Sequence, residues 1–597
     1  MLHTIDWAIL IAFLALSIAV GVSVARRAGS SSSEFFLSGR SMPWWLLGVS
    51  MVATTFAADT PLLVTQIVRD RGVAGNWVWW AFLLSGMLTV FVYARLWVRS
   101  GVRTDVEFYE LRYSGRAAAF LRGFRALYLG VLFNAIGMGI VTLALTKIAA
   151  VLFGIPPWQT VLVAGAVTML IASLGGLRGV LITDLLQFAL AIGGSVAAAV
   201  VCLGLPEVGG LEGLLTHPNV QGKLDLLPDF GDPDVWVPVF FVPLAVQWWS
   251  TWYPGSEPGG GGYIAQRMLA AKNESNAIGA SLFFNAAHYA LRPWPWIIVA
   301  LTSLVVFPDA ASLAQEFPAL DPETVRGDLG YPAMLTFLPA GLLGIVVTSL
   351  VAAYVSTMST LLNLGASYVV LDHYQRFVKP DATERQLVRY GRAVTIGLLV
   401  LSSALALSLE SALDGFTILL QVGAGTGAIY LLRWLWWRVN AWTEITGMVV
   451  SFLVALWFQF LHENWFEPLA EWQQLVTGVG ITTVAWIAAT LATPPTDDET
   501  LARFYERVRP CGSLWNRFLE RRRAAGTPLV EAPAGEFTRG LIATSLGCAA
   551  VYGTLFGTGF ALYGRTAGAF VAFAVAAGAA VGVARLLRST TPSESPL

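Results

Sequence analysis

The chain has 597 residues, of which 56% are hydrophobic and 13% charged, and its formal net charge is −1. A soluble domain carries about 25% charged residues, so this composition indicates a polytopic membrane protein. The near-zero net charge gives no sign of a nucleic-acid partner. The three cysteines and five histidines show no disulfide or zinc spacing. No phosphate-loop or nucleophile-elbow motif is present, so we expect no catalytic residues and no enzyme activity.

Apolar runs, each long enough to cross a bilayer, predict an all-α protein with about fifteen transmembrane helices. They lie at 5–26, 43–68, 75–99, 122–153, 157–177, 180–204, 236–264, 277–306, 332–374, 386–408, 413–436, 440–461, 471–492, 540–563 and 567–587. Arg and Lys concentrate after the odd-numbered spans, whereas the loops 206–234 and 308–328 are acidic. The positive-inside rule therefore predicts a cell-membrane protein with its N-terminus outside and its C-terminus in the cytoplasm.

Two of the predicted spans contain residues that interrupt a helix. The second reads SMVATTFAADTPLLV and carries Asp59 and Pro61 in its middle. The seventh reads WWSTWYPGSEPGGGGYIAQR, with two prolines and five glycines. Broken helices at matching places in two halves of a chain indicate the binding site of a transporter. These two spans lie five apart, as the first members of two five-helix repeats would.

A cluster of hydroxyls lies in the apolar segment 332–374. Ser356, Thr357, Ser359 and Thr360 occupy adjoining turns of the predicted helix. A hydroxyl in hydrocarbon needs a partner, which the preceding turn or a neighbouring helix can supply. Four hydroxyls in five residues favour coordination of a small hard cation such as sodium.

Four further side chains have both a functional and a structural interpretation. Asp59 is an intramembrane carboxylate, which by default suggests function, but it could be a satisfied buried acid. Glu257 lies in the second break and could contact a solute or line a water-filled vestibule. Asp184 could cap a helix or pair with Arg178. His288 could contact a solute or be an ordinary buried imidazole.

Five segments, in order along the chain, resemble the sodium:solute symporter family, the family of sodium/proline, sodium/galactose and sodium/sialic acid transporters. They are EFFLSGRSMPWW (34–45), GGLRGVLITDLLQ (175–187), YIAQRMLAAKN (263–273), LPAGLLGIVVTSLVAAYVSTMST (338–360) and WWRVNAWTEITGM (436–448). The resemblance implies the leucine-transporter-type fold, an inverted repeat of five plus five helices. It also implies sodium-driven symport by alternating access.

On this basis the chain divides into five parts. We expect an extra N-terminal helix and loop (1–42), the transporter core (43–436), two peripheral helices (437–492), a polar cytoplasmic loop (493–539) and two C-terminal helices with a tail (540–597). Within the loop, DDETLARFYERV predicts a short surface helix.

The resemblance also implies ion ligands. The general sodium site would use the carbonyls of Ala53, Phe56 and Ala353 with the hydroxyls of Ser356 and Thr357. Some family members hold a second sodium, for which the matching residues here are Ser356, Ser359, Thr360 and Asp184. The expected ligands of the protein are therefore one or two sodium ions, and no cofactor.

The solute is not carried over from the resemblance, because this chain departs from the known sites. Thr55 stands where the sodium/proline relative has an aspartate, and Gly261 where the sugar transporter has an asparagine, although its gating tyrosine is kept as Tyr263. The residues predicted to contact the solute are Thr55, Asp59, Thr60, Glu257, Tyr263, His288 and Gln421. A sugar-like polyol and an amino acid both fit this set.

The prediction is a sodium-coupled symporter that imports a small polar organic solute. Three alternatives stand beside it: a non-transporting solute sensor with the same fold, a proton-coupled transporter, and a membrane-embedded enzyme. The loop 493–539 is too short for the signalling domain that such sensors usually carry. An enzyme would need a nucleophile or metal cluster at a membrane face, which the sequence does not contain.

Overall fold

The computed structural model describes residues 2–28, 31–251, 257–318, 320, 325–409, 423, 425–462 and 465–588, and within these residues it is built from helices with no strand. The first half contains α1 (Thr4–Ala28), α2 (Trp44–Thr55), α3 (Asp59–Arg71), α4 (Val73–Ser100), α5 (Gly115–Phe153) and α6 (Pro157–Leu203).

The second half begins with α7 (Gly262–Ala270), α8 (Glu274–Val306), α9 (Leu342–Ser367, prolonged by π-helical turns to Val378), α10 (Glu384–Ala406) and α11 (Gly427–Leu435). It ends with α12 (Ala441–Gln459), α13 (Glu471–Ala492), α14 (Asp498–Val508), α15 (Asn516–Ala524), α16 (Glu536–Leu562) and α17 (Thr566–Arg588). Shorter helices join them: Ser32–Leu37, Phe108–Arg112, Gly210–Thr216, Pro218–Gln221, Pro233–Ala245, Ala310–Glu316 and Gly330–Leu335.

Eleven helices in the described part of the chain are long and apolar enough to cross a membrane, or up to twelve if the bent pair α2 and α3 is one span. The predicted count of about fifteen spans is therefore not confirmed. The predicted spans 157–177 and 180–204 lie in the single helix α6, which has 47 residues. The stretch GGLRG (175–179) around their boundary contains no proline, so its glycines weaken the helix without ending it.

The predicted interruption of the second span is confirmed. Helices α2 and α3 meet at an angle of 57°, with Phe56–Ala58 between them. Pro61 lies in the first turn of α3. Backbone N–H groups in a first turn have no acceptor within the helix, so proline removes no helical hydrogen bond there. The break therefore interrupts the helical hydrogen bonds, and the Thr54 and Thr55 carbonyls at the end of α2 accept from side chains of other helices instead.

The predicted seventh span is also interrupted. Pro233–Ala245 is its first helical part, and α7 is its second. Gly259 and Gly260 between them have φ of +82° and +89°, a backbone region that favours glycine. The indole N–H of Trp97 on α4 donates to the carbonyl of Gly259 at 2.8 Å, which fixes this unwound segment against the core.

The broken helix lies at the centre of the protein. Helix α2 packs against α6, α8 and α9, and α3 packs against the second half of α8. The extra helix α1 packs on α6 and α9, and its Asp6 carboxylate accepts from the N–H groups of Gly341 and Gly344 at 2.7 and 2.8 Å. These bonds cap the N-terminal end of α9 and hold it in place.

The polar loop 493–539 is docked on the core. Helix α14 confirms the predicted short helix, but Phe504 on it is fully buried. Trp515 is also buried, and its indole N–H donates to the carbonyl of Trp434 at 2.9 Å. Aromatic packing therefore holds the loop against the core.

Candidate functional site

The hydroxyls of α9 meet the last turn of α2. Ser356 and Thr357 are both buried, at 2% and 0% exposure. The Thr357 hydroxyl donates to the backbone carbonyl of Thr54 at 2.8 Å. The side-chain hydroxyl of Thr54 lies 3.4 Å from the Thr360 hydroxyl. Thr357 is thus satisfied by the neighbouring helix, not by its own preceding turn.

This contact places the predicted sodium ligands on both sides of one helix crossing. Ala53 and Phe56 flank Thr54 at the end of α2, where the helical ladder stops. Ala353 lies one turn before Thr357 on α9. Carbonyl and hydroxyl oxygens are hard ligands, which hard cations prefer. Because these ligands are uncharged, they suit a cation that binds reversibly.

Asp184 links the same two helices from α6. Its carboxylate is fully buried and accepts from the Ser50 hydroxyl on α2 and the Ser356 hydroxyl on α9, each at 2.5 Å. The alternative of an ion pair with Arg178 has no counterpart among the salt bridges of the described residues. Asp184 therefore belongs with the hydroxyl cluster.

An arginine lies beside the residues predicted for a second sodium. The Arg267 guanidinium donates to the Thr360 hydroxyl at 2.9 Å and to the Ser50 hydroxyl at 3.3 Å. The Ser359 hydroxyl is buried without a hydrogen bond. Sequence reasoning did not include Arg267 in the site, because Arg267 follows the predicted span 236–264 and was counted among the basic residues of a loop, whereas α7 continues to Ala270 and buries it.

A second polar cluster lies at the other side of the break. The Arg292 guanidinium donates to the carbonyl of Thr55 at 2.5 Å, and its other terminal nitrogen lies 3.0 Å from Nε2 of His288. Nδ1 of His288 lies 3.1 Å from the Thr55 hydroxyl. The Thr60 hydroxyl also donates to the Thr55 carbonyl, at 3.2 Å. The structure therefore brings together three of the predicted solute residues and adds Arg292.

Glu257 lies elsewhere, in a buried network of charges. Its carboxylate is hydrogen-bonded to Arg125 and lies 3.5 Å from Arg433, with all three side chains at most 2% exposed. Glu444 lies 3.9 Å from Arg433 and accepts from the Tyr113 hydroxyl at 2.6 Å. Two carboxylates and two guanidiniums thus balance one another, and Glu257 joins the second break to α5 and α11.

The remaining predicted solute residues are placed as follows. Tyr263 is fully buried in α7, with the Arg267 guanidinium carbon 5.9 Å from its ring centre. Asp59 is the first residue of α3 and is 8% exposed. Gln421 lies outside the described residues.

A cavity of about 700 Å³ is lined by the end of α3, the start of α4, the segment 222–247 and the start of α13, and its lining includes none of the predicted sodium or solute residues that the structure describes. Its wall includes Val78 on α4 and Gln247 between Pro233–Ala245 and the second break. The Gln247 amide donates to the Val78 carbonyl at 2.6 Å.

Two interrupted helices, one of them packed against a hydroxyl-rich helix, are typical of the binding site of a secondary transporter. The chain belongs to the sodium:solute symporter family, because the sequence model of that family matches residues 35–451. The predicted leucine-transporter-type fold and the family resemblance are both confirmed.

The relatives are sodium cotransporters. The chain is 27% identical over 479 residues to a sodium/glucose cotransporter of Vibrio parahaemolyticus, with 77% of this chain and 86% of that protein covered. It is 26% identical to sodium/myo-inositol cotransporter 2 of Oryctolagus cuniculus, with 78% and 71% covered. A solved Na⁺-coupled sialic acid symporter, in its substrate-bound outward-open state, shares the fold with a TM-score of 0.63 and 21% identity, covering 83% of this chain and 99% of that one.

Proposed function

We propose that this protein is a sodium-coupled symporter that carries a small polar organic solute into the cell by alternating access. One observation carries the proposal: the Thr357 hydroxyl of α9 bonds to the Thr54 carbonyl at the end of the broken helix. A sodium ion at this crossing would take the carbonyls of Ala53, Phe56 and Ala353 with the hydroxyls of Ser356 and Thr357. The family and its sodium cotransporter relatives support this assignment.

Coupling follows from ligands that come from two helices. Sodium strengthens the contact of α2 with α9 and orders the break between α2 and α3, where the solute residues lie. Sodium binding thereby favours the solute-binding state, and solute binding favours sodium to the same degree. At a membrane potential of about 100 mV, each inward positive charge supplies about 2.3 kcal/mol.

The solute set consists of residues around both breaks. Thr55, Asp59, Thr60 and His288 lie at the first break, and Glu257 and Tyr263 lie at the second. The further member of the set is Gln421. A sugar-like solute is supported by the glucose and myo-inositol cotransporters among the relatives. The orientation that the Arg and Lys pattern favours, with the N-terminus outside, belongs to the proposal.

The test is solute uptake by the purified full-length protein in proteoliposomes. We expect uptake driven by an inward sodium gradient at clamped pH, and none when potassium replaces sodium. Uptake that follows a proton gradient without sodium would indicate the proton-coupled alternative. Sodium-dependent solute binding without flux would indicate the sensor.

The variant Asp184→Asn tests a second ion. We expect its sodium Hill coefficient to fall from about two to about one, because the Hill coefficient rises with the number of coupled sites and the variant loses the only carboxylate among the proposed ligands. The measurement is uptake against sodium concentration in proteoliposomes. Asp105→Asn is the control, since Asp105 is also buried and accepts two hydrogen bonds from neutral groups, the Tyr368 hydroxyl and the Gly262 N–H. A wild-type coefficient of about one would indicate a single ion.

A further inference from the structure

Aromatic rings connect the second break to the polar loop 493–539. Trp97 on α4 donates its indole N–H to the Gly259 carbonyl in the break, at 2.8 Å. The ring centre of Trp97 lies 4.8 Å from that of Trp434 at the end of α11, and Trp434 lies 6.1 Å from Phe504 on α14. All three side chains are fully buried. Because a close-packed interior passes a displacement from one side chain to the next, the loop responds to movement of the break.

The outer layer of this aromatic stack belongs to the loop itself. Trp515 lies 5.9 Å from Phe504 between ring centres, and its indole N–H donates to the Trp434 carbonyl at 2.9 Å. The rings of Phe504 and Trp515 also cover the guanidinium of Arg112, whose carbon lies 5.2 and 5.1 Å from their centres. Arg112 donates to the carbonyl of Arg433 at 2.9 Å. The loop therefore packs against residues that hold the second break in place.

The second break is also tied to the helix crossing proposed to bind sodium. Helix α7 follows the break directly, and its Arg267 donates to the Ser50 hydroxyl on α2 and to the Thr360 hydroxyl on α9. These acceptors lie on the two helices that sodium would hold together. Separation of α2 from α9 would deprive Arg267 of an acceptor in a buried site, which is unfavourable. The position of α7 therefore depends on whether the crossing is closed.

We propose that the loop 493–539 is a latch coupled to the sodium site. It is docked while α7 bonds to the closed crossing of α2 and α9, and it loosens when that crossing opens. Because sodium closes the crossing, sodium binding and loop docking favour each other to the same degree. This inference rests on sodium binding in the proposed function and adds a regulatory contact to it.

Cys511 makes the docking of the loop measurable. It lies in the loop and is 5% exposed, and burial raises the pKa of its thiol to about 11. The thiolate is the reactive form, so a docked Cys511 reacts slowly with a maleimide near neutral pH. Loosening of the loop would expose the thiol and speed the reaction. Cys202 and Cys548 are buried in α6 and α16, so their reaction reports unfolding of the helices themselves.

The first test is the rate of Cys511 alkylation by N-ethylmaleimide in the purified full-length protein, resolved by peptide mass spectrometry. The protein is kept in detergent with sodium chloride or with choline chloride at equal ionic strength. We expect sodium to slow Cys511 alkylation by about five-fold or more, as coupling between two sites typically does. Cys202 and Cys548 should react slowly in both salts. Equal Cys511 rates in the two salts, or faster alkylation of all three cysteines in choline, would overturn the latch.

The variant Trp515→Ala tests the latch from the opposite direction. It removes the bond to Trp434 and one ring over Arg112, so Cys511 should react equally fast in both salts. The sodium dissociation constant, measured by equilibrium binding of radiolabelled sodium, should rise by about the factor by which sodium protects Cys511 in the wild type. A structural role without coupling would lower the melting temperature and leave the sodium affinity unchanged.

Two further variants support this measurement. Trp515→Phe keeps an aromatic ring and loses only the bond to Trp434, so it remains informative if Trp515→Ala does not fold. Its loss of sodium affinity should be smaller than that of Trp515→Ala. Leu514→Ala is the matched control, because Leu514 precedes Trp515 and is 47% exposed. It should keep both the sodium affinity and the sodium protection of Cys511.

The outcomes separate the latch from the proposed function. Sodium binding with the same affinity in the wild type and in both Trp515 variants would overturn the latch and leave the sodium site intact. Absence of sodium binding by the wild type would overturn the proposed function and the latch with it.

Discussion

Replacing Ser356 and Thr357 together by alanine is expected to abolish sodium-driven uptake. The double variant removes both hydroxyl ligands from the proposed site and the bond from Thr357 to Thr54. Two lost interactions with a charged group, each worth about 1.5–3 kcal/mol, lower sodium affinity by at least about a hundred-fold. The measurement is initial uptake in proteoliposomes over a range of sodium concentrations.

Helix α9 supplies a matched control for this experiment. Ser349 and Ser367 are equally buried, but each donates at 2.7 Å to a carbonyl of its own helix. The pair Ser349→Ala with Ser367→Ala therefore removes two hydroxyls from the same helix and should keep sodium-driven uptake. Normal uptake by the variant of Ser356 and Thr357 would refute the proposed sodium site.

Glu257→Gln is expected to destabilise the protein strongly. Glu257 is the carboxylate that Arg125 and Arg433 share, so the variant leaves one buried guanidinium charge uncompensated. Breaking a buried charge pair in this way costs about 3–5 kcal/mol. The melting temperature of the purified protein should fall clearly, and a variant that also carries Arg125→Met should recover part of the loss because the charges balance again.

The control for Glu257→Gln is Glu274→Gln, which breaks a more exposed ion pair. Glu274 lies 2.9 Å from Arg99, and its side chain is 40% exposed. Exposed ion pairs contribute about 0.2–1 kcal/mol, so this variant should melt close to the wild type. If the Glu257→Gln variant melts like the wild type and loses only solute affinity, Glu257 is a solute ligand. Its charge pairs with Arg125 and Arg433 would then not stabilise the fold.

Much of the fold could be predicted because membrane segments are encoded locally. Apolar length and the Pro and Gly content of the second and seventh spans indicated where helices cross and where they break, and the break before Asp59 is confirmed. Helix α6 shows the limit of that reasoning. A short polar stretch looks like a boundary in sequence, but the backbone there stays helical.

The site was predicted less completely than the fold. The clustering of Ser356–Thr360 was visible, because four hydroxyls in five residues are conspicuous in an apolar helix. The importance of Arg267 and Arg292 was not evident, because the sequence does not show which side chains a buried arginine reaches. His288 looked like a solute ligand, yet both its ring nitrogens are bonded to Arg292 and Thr55.

The sequence by itself determined that this chain lies in a membrane, where two of its helices are interrupted, and which helix carries the hydroxyls. These features depend on composition within a few residues, because hydrocarbon tolerates only apolar, fully hydrogen-bonded segments. Only the tertiary structure decided that Thr357 bonds to Thr54, that Asp184 joins Ser50 to Ser356, and that Glu257 belongs to the arginines. Such pairings join residues more than a hundred positions apart, and a buried charge takes its role from the partner that the fold brings to it.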